Sequence, residues 1–379
     1  MAKTSYITSS ARIKAIGVGG GGCNAITRMV RDGITGVEFI AMNTDGQALA
    51  LSEVSTKLQL GEKACRGLGA GGDHLIGARA AEESAPEIKK LVEGADMVFV
   101  TAGMGGGTGT GGIPTVAEVA KASGALTIGI VTKPFGFEGI RRSKVAEAGL
   151  LRLAEKVDSL IIVSNDRLLE LCDAKTSVDA AFKMADDVLK GGVSAIAEVI
   201  TVPGLINLDF ADIRAIMGQA GPAWMSIGRA TGPNRAVEAA KSALSSRLLD
   251  VSVSGAKGVL MNITGGSTLT LRECQAAATA VGEAVSPDAN IIFGVVLDAN
   301  MDTEVQITIV ATGFAPAYGT KPPTAAELRS LLHGVDDTTL DVPTFLRRSP
   351  SMLPSFGQTS HSTPQPAPSE ANETLHSAN

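Results

Sequence analysis

The first half of the chain alternates short, continuously apolar runs with stretches whose apolar positions recur every three or four residues. Ile13–Val18 (IKAIGV), Glu38–Asn43 (EFIAMN), Met97–Thr101 (MVFVT), Leu126–Thr132 and Leu160–Val163 are runs of the first kind. Apolar side chains on consecutive positions suit strands covered on both faces. Asn24–Asp32, Glu87–Val92 behind Pro86, and Ile113–Ser123 read as the helices between them. In the last of these Val116, Val119 and Ala120 share a face, and Pro114 suits a first turn. Strand and helix in alternation predict an α/β fold with a doubly wound parallel sheet.

Ser177–Val202 reads as one long helix stopped by Pro203, with Val178, Phe182, Val188, Leu189, Val193, Ile196 and Val199 as its apolar positions. Gly191-Gly192 weakens it by about 1 kcal/mol per Gly relative to Ala, so a bend is expected there. Beyond it, Ala223–Gly228, Gly258–Thr264, Ile291–Leu297 and Val305–Thr312 read as strands, and Arg235–Leu244 and Leu269–Val285 as helices. They predict a second, smaller α/β domain with antiparallel pairing at its end. The expected divisions are a flexible 1–11, a nucleotide-binding 12–176, a central helix 177–202, a C-terminal α/β domain 203–316 and a short linker 317–339. Residues 349–379, rich in Ser, Pro, Thr and Gln, are expected to be disordered.

Glycine marks where the chemistry is expected. Ala102–Gly112, AGMGGGTGTGG, lies between a strand and a helix; so does Gly19–Gly22. Glycine lets a backbone approach a ligand closely, and uncapped N–H groups at a helix start form an anion cradle. Thr108 and Thr110 are expected to add hydroxyl donors, and Gly107 to give phosphate oxygens access to the backbone. No Lys follows the glycines, so this is not the GxxxxGK[ST] phosphate loop. Gly17, Gly19 and Gly22 also satisfy GxGxxG, which keeps a dinucleotide oxidoreductase in view. That fold wants an acidic residue about 20 positions on, and Asp45 of Asn43-Thr44-Asp45 is available, although Asp45 equally suits a turn. A third glycine loop, Cys65–Asp73 with Gly71 and Gly72, tips the balance. Three such loops at one sheet edge fit a triphosphate better than a dinucleotide.

Two carboxylate settings are candidates for more. Glu138 and Arg142 stand four apart at a helix start, as a surface ion pair or as ribose and nucleotide contacts. Phe182 and Asp186 stand four apart on the long helix. A ring to stack on a base and a carboxylate to accept two N–H donors would favour guanine; a core Phe beside a solvated Asp fits the spacing equally. Asp209 suits an N-cap, with Asp212 three residues on.

Composition narrows the classes. The 379 residues are 44% hydrophobic and 19% charged with net charge −6, which fits a globular protein and gives no support to nucleic-acid binding. The longest apolar runs are too short to span a bilayer, and MAKTSYITSS lacks a signal core. Cys23, Cys65, Cys172 and Cys274 form no CxxC pair; they suit a reducing cytoplasm and no structural metal site. Three of the four histidines lie beyond Phe314, so a His-based triad is not expected.

Together, GGGGCNA at Gly19–Ala25, NTD at Asn43–Asp45, GMGGGTGTG at Gly103–Gly111, PFGFEG at Pro134–Gly139 and NLDFAD at Asn207–Asp212 closely resemble the FtsZ family, tubulin-related GTPases of bacterial cell division. The likeness runs over residues 12–314. It implies GTP/GDP binding with Mg²⁺, hydrolysis, and head-to-tail filaments that form a ring at the division site in the cytoplasm. It implies that Gly20, Gly21, Gly22, Cys23 and Asn24, with Gly103, Gly105, Gly106, Gly107, Thr108 and Gly109, surround the phosphates, helped by Asn43, Asp45, Gly71 and Gly72. Glu138 and Arg142 would face the ribose, and Asn165, Phe182 and Asp186 the guanine. Asn207, Asp209 and Asp212 would act in hydrolysis. Leu340–Arg348, LDVPTFLRR, resembles the family's partner-binding peptide, which recruits a membrane-tethering division protein such as FtsA; direct membrane insertion is not implied. The family usually places this peptide near the very end of the chain, after a long disordered linker; here the disordered stretch follows it. Gly136 and Ile140 stand where polar residues are common in the family.

Overall fold

The computed structural model describes residues 11–170, 176–201, 206, 209–245, 255–298 and 301–314. All lie in the unit Met1–Thr320; the second unit, Lys321–Asn379, contains none of them. The peptide at 340–348 with its flanking segments, Pro203 and Asn207 therefore fall outside the described residues.

The strands are β1 Ile13–Val18, β2 Val37–Asn43, β3 Thr56–Gln59, β4 Met97–Gly103, β5 Leu126–Lys133, β6 Ser159–Ser164, β7 Gly221–Thr231, β8 Gly258–Gly265, β9 Asn290–Leu297 and β10 Glu304–Thr312. They form one ten-stranded sheet in the order β3-β2-β1-β4-β5-β6-β7-β10-β8-β9. From β3 to β6 every pairing is parallel. β10 lies antiparallel between β7 and β8, and β9 runs parallel beside β8. The parallel and mixed parts join through Ser159↔Gly221, Leu160↔Pro222 and Ile161↔Ala223.

Consecutive strand residues point to opposite faces, and both faces are covered. Ile13 and Ala15 of β1, with Met97 and Phe99 of β4, pack with Ile26 and Met29 of helix Gly19–Arg31 and Leu189 and Val193 of the long helix Val178–Thr201. Ile16 and Val18, with Val98 and Val100, pack on the other face against Ala80, Ile88, Ile113 and Leu150 from four further helices. A third cluster around Trp224, Ile263 and Ile307 joins β7, β8 and β10 to helices Arg235–Leu244 and Leu271–Gly282.

Several elements depart from the sequence expectation. The helices after β1 and β4 begin at Gly19 and Thr108, inside the glycine runs, not after them. Pro114 is consequently an interior residue of Thr108–Ala122, and the bond it cannot donate is the one to the Thr110 carbonyl. The edge strand β3 (TKLQ) and the helices Gly46–Leu51, Glu62–Cys65, His74–Glu83 and Asn165–Leu169 carry weak or short patterns that did not announce them. The long helix is continuous through Gly191-Gly192. A Cβ on Gly191 would lie 2.7 Å from Ile227 Cδ1, and one on Gly192 3.1 Å from Ile130 Cδ1. These glycines let the helix press against β5 and β7.

Glycine also sets how helix Thr108–Ala122 meets its neighbour His74–Glu83. A Cβ on Gly111 would overlap the His74 carbonyl and lie 2.7 Å from Ala78 N; one on Gly77 would overlap the Gly107 carbonyl. Ala is the better helix former by about 1 kcal/mol, but overpacking at a backbone contact costs about 1–3 kcal/mol. Gly111→Ala is therefore expected to lower the urea or thermal unfolding midpoint, a net loss of up to about 2 kcal/mol; a raised midpoint would show that the two helices can part without penalty.

Candidate functional site

A cavity of about 290 Å³ opens at the carboxyl ends of the parallel strands, where open α/β sheets bind ligands. Its floor comes from the loops after β1 and β4, one side from the ends of β5 and β6, and its outer wall from the long helix. Two helix N-termini meet there, those of Gly19–Arg31 and Thr108–Ala122. Neither has a side-chain cap, and neither carries an acidic residue in its first turn. First-turn N–H groups have no partner within their own helix, and the helix dipole adds about half a positive charge at each end. Both helices are thus left to be completed by an anion from outside.

The two loops reach this geometry because their backbones touch. Gly19 sits at φ +73°, and a Cβ there would lie 2.7 Å from Gly109 N. A Cβ on Gly109 would lie 2.8 Å from Gly103 O, and one on Gly21 3.2 Å from Gly103 N. Gly20 and Gly106 differ: both line the cavity, and a Cβ on either meets nothing within 4 Å. Gly107 also lines it, yet its Cβ direction leads into the protein, 2.9 Å from Ala70 Cβ and 3.0 Å from Asp73 N. The expectation that a side chain at Gly107 would meet phosphate is corrected: such a side chain would collide with the Cys65–Asp73 loop.

The threonine hydroxyls are engaged. Thr108 Oγ1 shares a 2.5 Å hydrogen bond with Thr44 Oγ1. Thr110 is fully buried and its Oγ1 accepts from Gly105 N–H at 2.7 Å, so it braces the turn and is not a ligand donor as expected. Gly105, at φ +99°, packs against the Arg142 backbone and does not line the cavity.

Glu138 and Arg142 form the ion pair their spacing suggests, and both also face the cavity. Glu138 Oε1 accepts from Phe135 N–H at 2.9 Å, which closes the turn Gly136–Glu138 and fixes the carboxylate. Phe182 is half exposed at the mouth, edge-on to Phe135 at 5.2 Å, while Phe135 stacks on Phe137 at 5.0 Å. Asn165 is buried on the cavity wall, and its Oδ1 has no hydrogen-bond partner among the described residues. A buried amide oxygen without a partner costs about 1–3 kcal/mol, so a ligand N–H would be welcome there. Asp186 lines the same end, with Oδ2 3.3 Å from Arg28 Nη2. Burial pushes its carboxyl up to about 6, Arg28 opposes that, and Asp187 adds to it.

Other expected contacts are not on the cavity wall. Gly22 packs against the Thr101 carbonyl, which brings the first helix down onto β4. Cys23 turns inward, its thiol donating to Gly17 O and Met42 O, and burial pushes it up to about 12. Asn24 is exposed beside a separate hollow with Thr27, Arg28 and Ser52. Asn43 is buried, and its Oδ1 receives Asp45 N–H at 3.4 Å. Asp45 caps helix Gly46–Leu51, accepting from Gln47 N and Ala48 N, so the turn reading is the one observed. Gly71 and Gly72 are exposed with open space around them; their loop supports Gly107 from behind. Thr132, Met104 and Leu189 line the cavity without having been singled out. Thr132 could have been found, since it lies at the carboxyl end of an inner parallel strand, one residue before its last.

Asp209 and Asp212 stand elsewhere. Helix Phe210–Met217 is anchored at the amino ends of the strands: Ser159 Oγ donates to Met217 O at 2.6 Å, and Arg214 Nη2 to Gly124 O at 3.1 Å. From Asp186 to Thr201 the long helix rises roughly 22 Å away from the cavity. Asp209 occupies the N-cap position without a side-chain capping bond, contrary to expectation. Both carboxylates are exposed and have no side-chain partner among the described residues.

Residues 12–173 match the Tubulin/FtsZ family, GTPase domain, and residues 221–315 the FtsZ family, C-terminal domain. An empty FtsZ dimer from M. jannaschii is 44% identical with a TM-score of 0.78, covering 81% of this chain and 89% of that one. A point mutant of FtsZ from M. jannaschii gives 44% and 0.78 over 80% and 92%. A GTPgS-bound protofilament of CetZ2 from Haloferax volcanii, at 22% identity and TM-score 0.69 over 80% and 94%, shares the fold.

Gly20 offers the cleanest probe of the cradle. Gly20→Val points its Cβ into open space beside the two helix starts. Guanine-nucleotide affinity is expected to fall at least about tenfold, roughly one lost hydrogen bond's worth, with the unfolding midpoint of the nucleotide-free protein little changed. Equilibrium binding of labelled GDP checks this; unchanged affinity would put the phosphates elsewhere.

Proposed function

The chain belongs to the Tubulin/FtsZ family and is a GTPase that binds guanine nucleotides, and on that premise we propose that it assembles head to tail into the filaments of a cytokinetic ring, each GTP being hydrolysed between two subunits. The observation that carries the reading is the separation just described. The cavity and the exposed carboxylates of Asp209 and Asp212 lie at opposite ends of one sheet. No single chain brings them together, whereas stacking the amino end of one subunit on the carboxyl end of the next does. Such a heterologous contact repeats without closing. The M. jannaschii FtsZ dimer, at 44% identity, supports self-association.

Within that arrangement the roles follow from chemistry. The first-turn N–H groups at Gly20–Gly22 and Gly107–Gly109 hold phosphate oxygens, their dipoles favouring negative charge. Glu138 and Arg142 border the ribose. Phe182 stacks on the base, Asn165 Oδ1 accepts an N–H, and Asp186 accepts guanine's N1–H and N2–H₂, a pair adenine lacks. Asp209 and Asp212 of the next subunit, with Asn207, orient and polarise the attacking water. Among the described residues no three acidic, His or Cys side chains converge. Mg²⁺ is accordingly proposed as a companion of the triphosphate, held mainly by its oxygens, where it would neutralise charge.

No described helix is long and apolar enough to cross a membrane. The proposed location is the cytoplasm at the division site, with residues 340–348 recruiting a membrane-tethering partner such as FtsA.

A shared site makes turnover depend on neighbours. Phosphate release per subunit is expected to rise with protein concentration, in step with sedimentable polymer. Asp212→Asn is expected to bind GTP and sediment while losing at least about 100-fold in turnover, the usual scale for a group that activates water. Constant turnover in dilute, demonstrably monomeric protein would refute the shared site.

A further inference from the structure

Helix Gly19–Arg31 and the long helix lie side by side on one face of the sheet, tied by two ion pairs. Lys190 meets Asp32 in an exposed setting. Arg28 meets Asp186 in a more enclosed one, with the side chains 28% and 14% exposed. Asp186 forms part of the cavity wall; Arg28 does not. The pair therefore joins the base end of the cavity to a side chain behind it.

We propose that Arg28 is a positioning residue for base selection: its guanidinium holds the Asp186 carboxylate charged and turned into the cavity, ready for guanine's two N–H donors. The proposal rests on the reading of Asp186 as the guanine contact. A carboxylate carries acceptor sites on both oxygens, so Oδ2 serves Arg28 and a base N–H together. A protonated carboxyl sets its own O–H against the N1–H donor and loses that bond. Burial favours this protonated form, and so does the neighbouring Asp187 charge.

The other charges around Asp186 are committed. On its own helix Lys183 pairs with Asp179 and Lys190 with Asp32. On the first helix Arg31 pairs with Glu53. Across the cavity Arg142 pairs with Glu138, and beside Asn165 the Asp166 carboxylate accepts from Gly136 N–H while Arg167 pairs with Glu170. Among the described residues Arg28 is the cation within ion-pair distance of Asp186.

The sign of the pH effect is fixed by the state that binds. Guanine recognition needs ionised Asp186, so affinity is full above its pKa and falls as pH drops through it. Losing Arg28 raises that pKa further and moves the fall to higher pH. A carboxyl whose pKa climbs one unit above the buffer pH is roughly tenfold less ionised.

The test is equilibrium binding of GDP and ADP to wild type, Arg28→Ala, Arg28→Gln, Arg28→Lys and Asp186→Asn, over a pH range bracketing 6, with folding verified by circular dichroism. Arg28→Ala and Arg28→Gln are expected to weaken GDP about tenfold near neutrality, with the deficit closing as pH rises. Arg28→Lys should keep the wild-type profile to within about threefold. A deficit constant in pH, or no deficit, overturns the role of Arg28. Asp186→Asn should lose preference for GDP over ADP at every pH. If it does and the Arg28 variants match wild type, the inference fails alone; if it does not, the guanine reading of Asp186 fails first.

Discussion

The constraint on which the rest depends is the contact between two stretches of bare backbone. Gly19 meets Gly109 at a distance that a single methyl would forbid, and Gly21 meets Gly103 where a methyl would be tight. That approach turns two helix N-termini, from adjacent strands β1 and β4, toward one point. Each carries an unsatisfied first turn and no acidic residue to soften it. A protein that leaves two positive helix ends uncapped and facing each other is unfinished until an anion arrives. The neighbouring glycines serve this end indirectly. Gly77 and Gly111 let helix His74–Glu83 lie against helix Thr108–Ala122, and the Cys65–Asp73 loop then backs Gly107.

The second organising fact is polarity along the sheet. The parallel strands β1 to β6 put the cavity at their carboxyl ends, while Ser159 and Arg214 hold the helix after Asp209 at their amino ends. The long helix spans the two and packs its Gly191-Gly192 face on the sheet. Charge is distributed to match. At the cavity Asp186 is enclosed and pairs with Arg28, while burial pushes its carboxyl up; at the other end Asp209 and Asp212 are exposed. An exposed ion pair such as Arg31–Glu53 is screened by solvent and contributes little to stability, so these pairs matter more for orienting groups.

Much of this was legible in the sequence, and what was not has physical reasons. Continuous apolar runs identified the inner parallel strands because both faces of such strands are covered. The motifs GGGGCNA, GMGGGTGTG and NLDFAD located the glycine loops and carboxylates because few other arrangements want so many glycines between strand and helix. Helix starts were misplaced, since glycine's low helix propensity argues against the very turns that tertiary contact requires at Gly19 and Thr108. Gly22, Gly71, Gly72, Gly105 and Gly107 looked alike as letters, yet their Cβ directions point into protein or solvent. Spacing does not encode direction. Asp45 and Thr110 turned out to satisfy backbone N–H groups, the commonest use of such side chains. Arg28 carried no signal, because its partner lies on a helix far along the chain.

In the proposed filament one subunit's cavity and the next subunit's carboxylates make a single site. The most direct test mixes two impaired variants at limiting GTP, Asp212→Asn, which keeps the cradle, and Gly20→Val, which keeps Asp209 and Asp212, with co-sedimentation showing that both enter the same polymer. A shared site requires that phosphate release, low in each variant alone at limiting GTP, rises in the mixture and peaks near equal proportions. Mixed polymers that form but stay inactive at every proportion would contradict it.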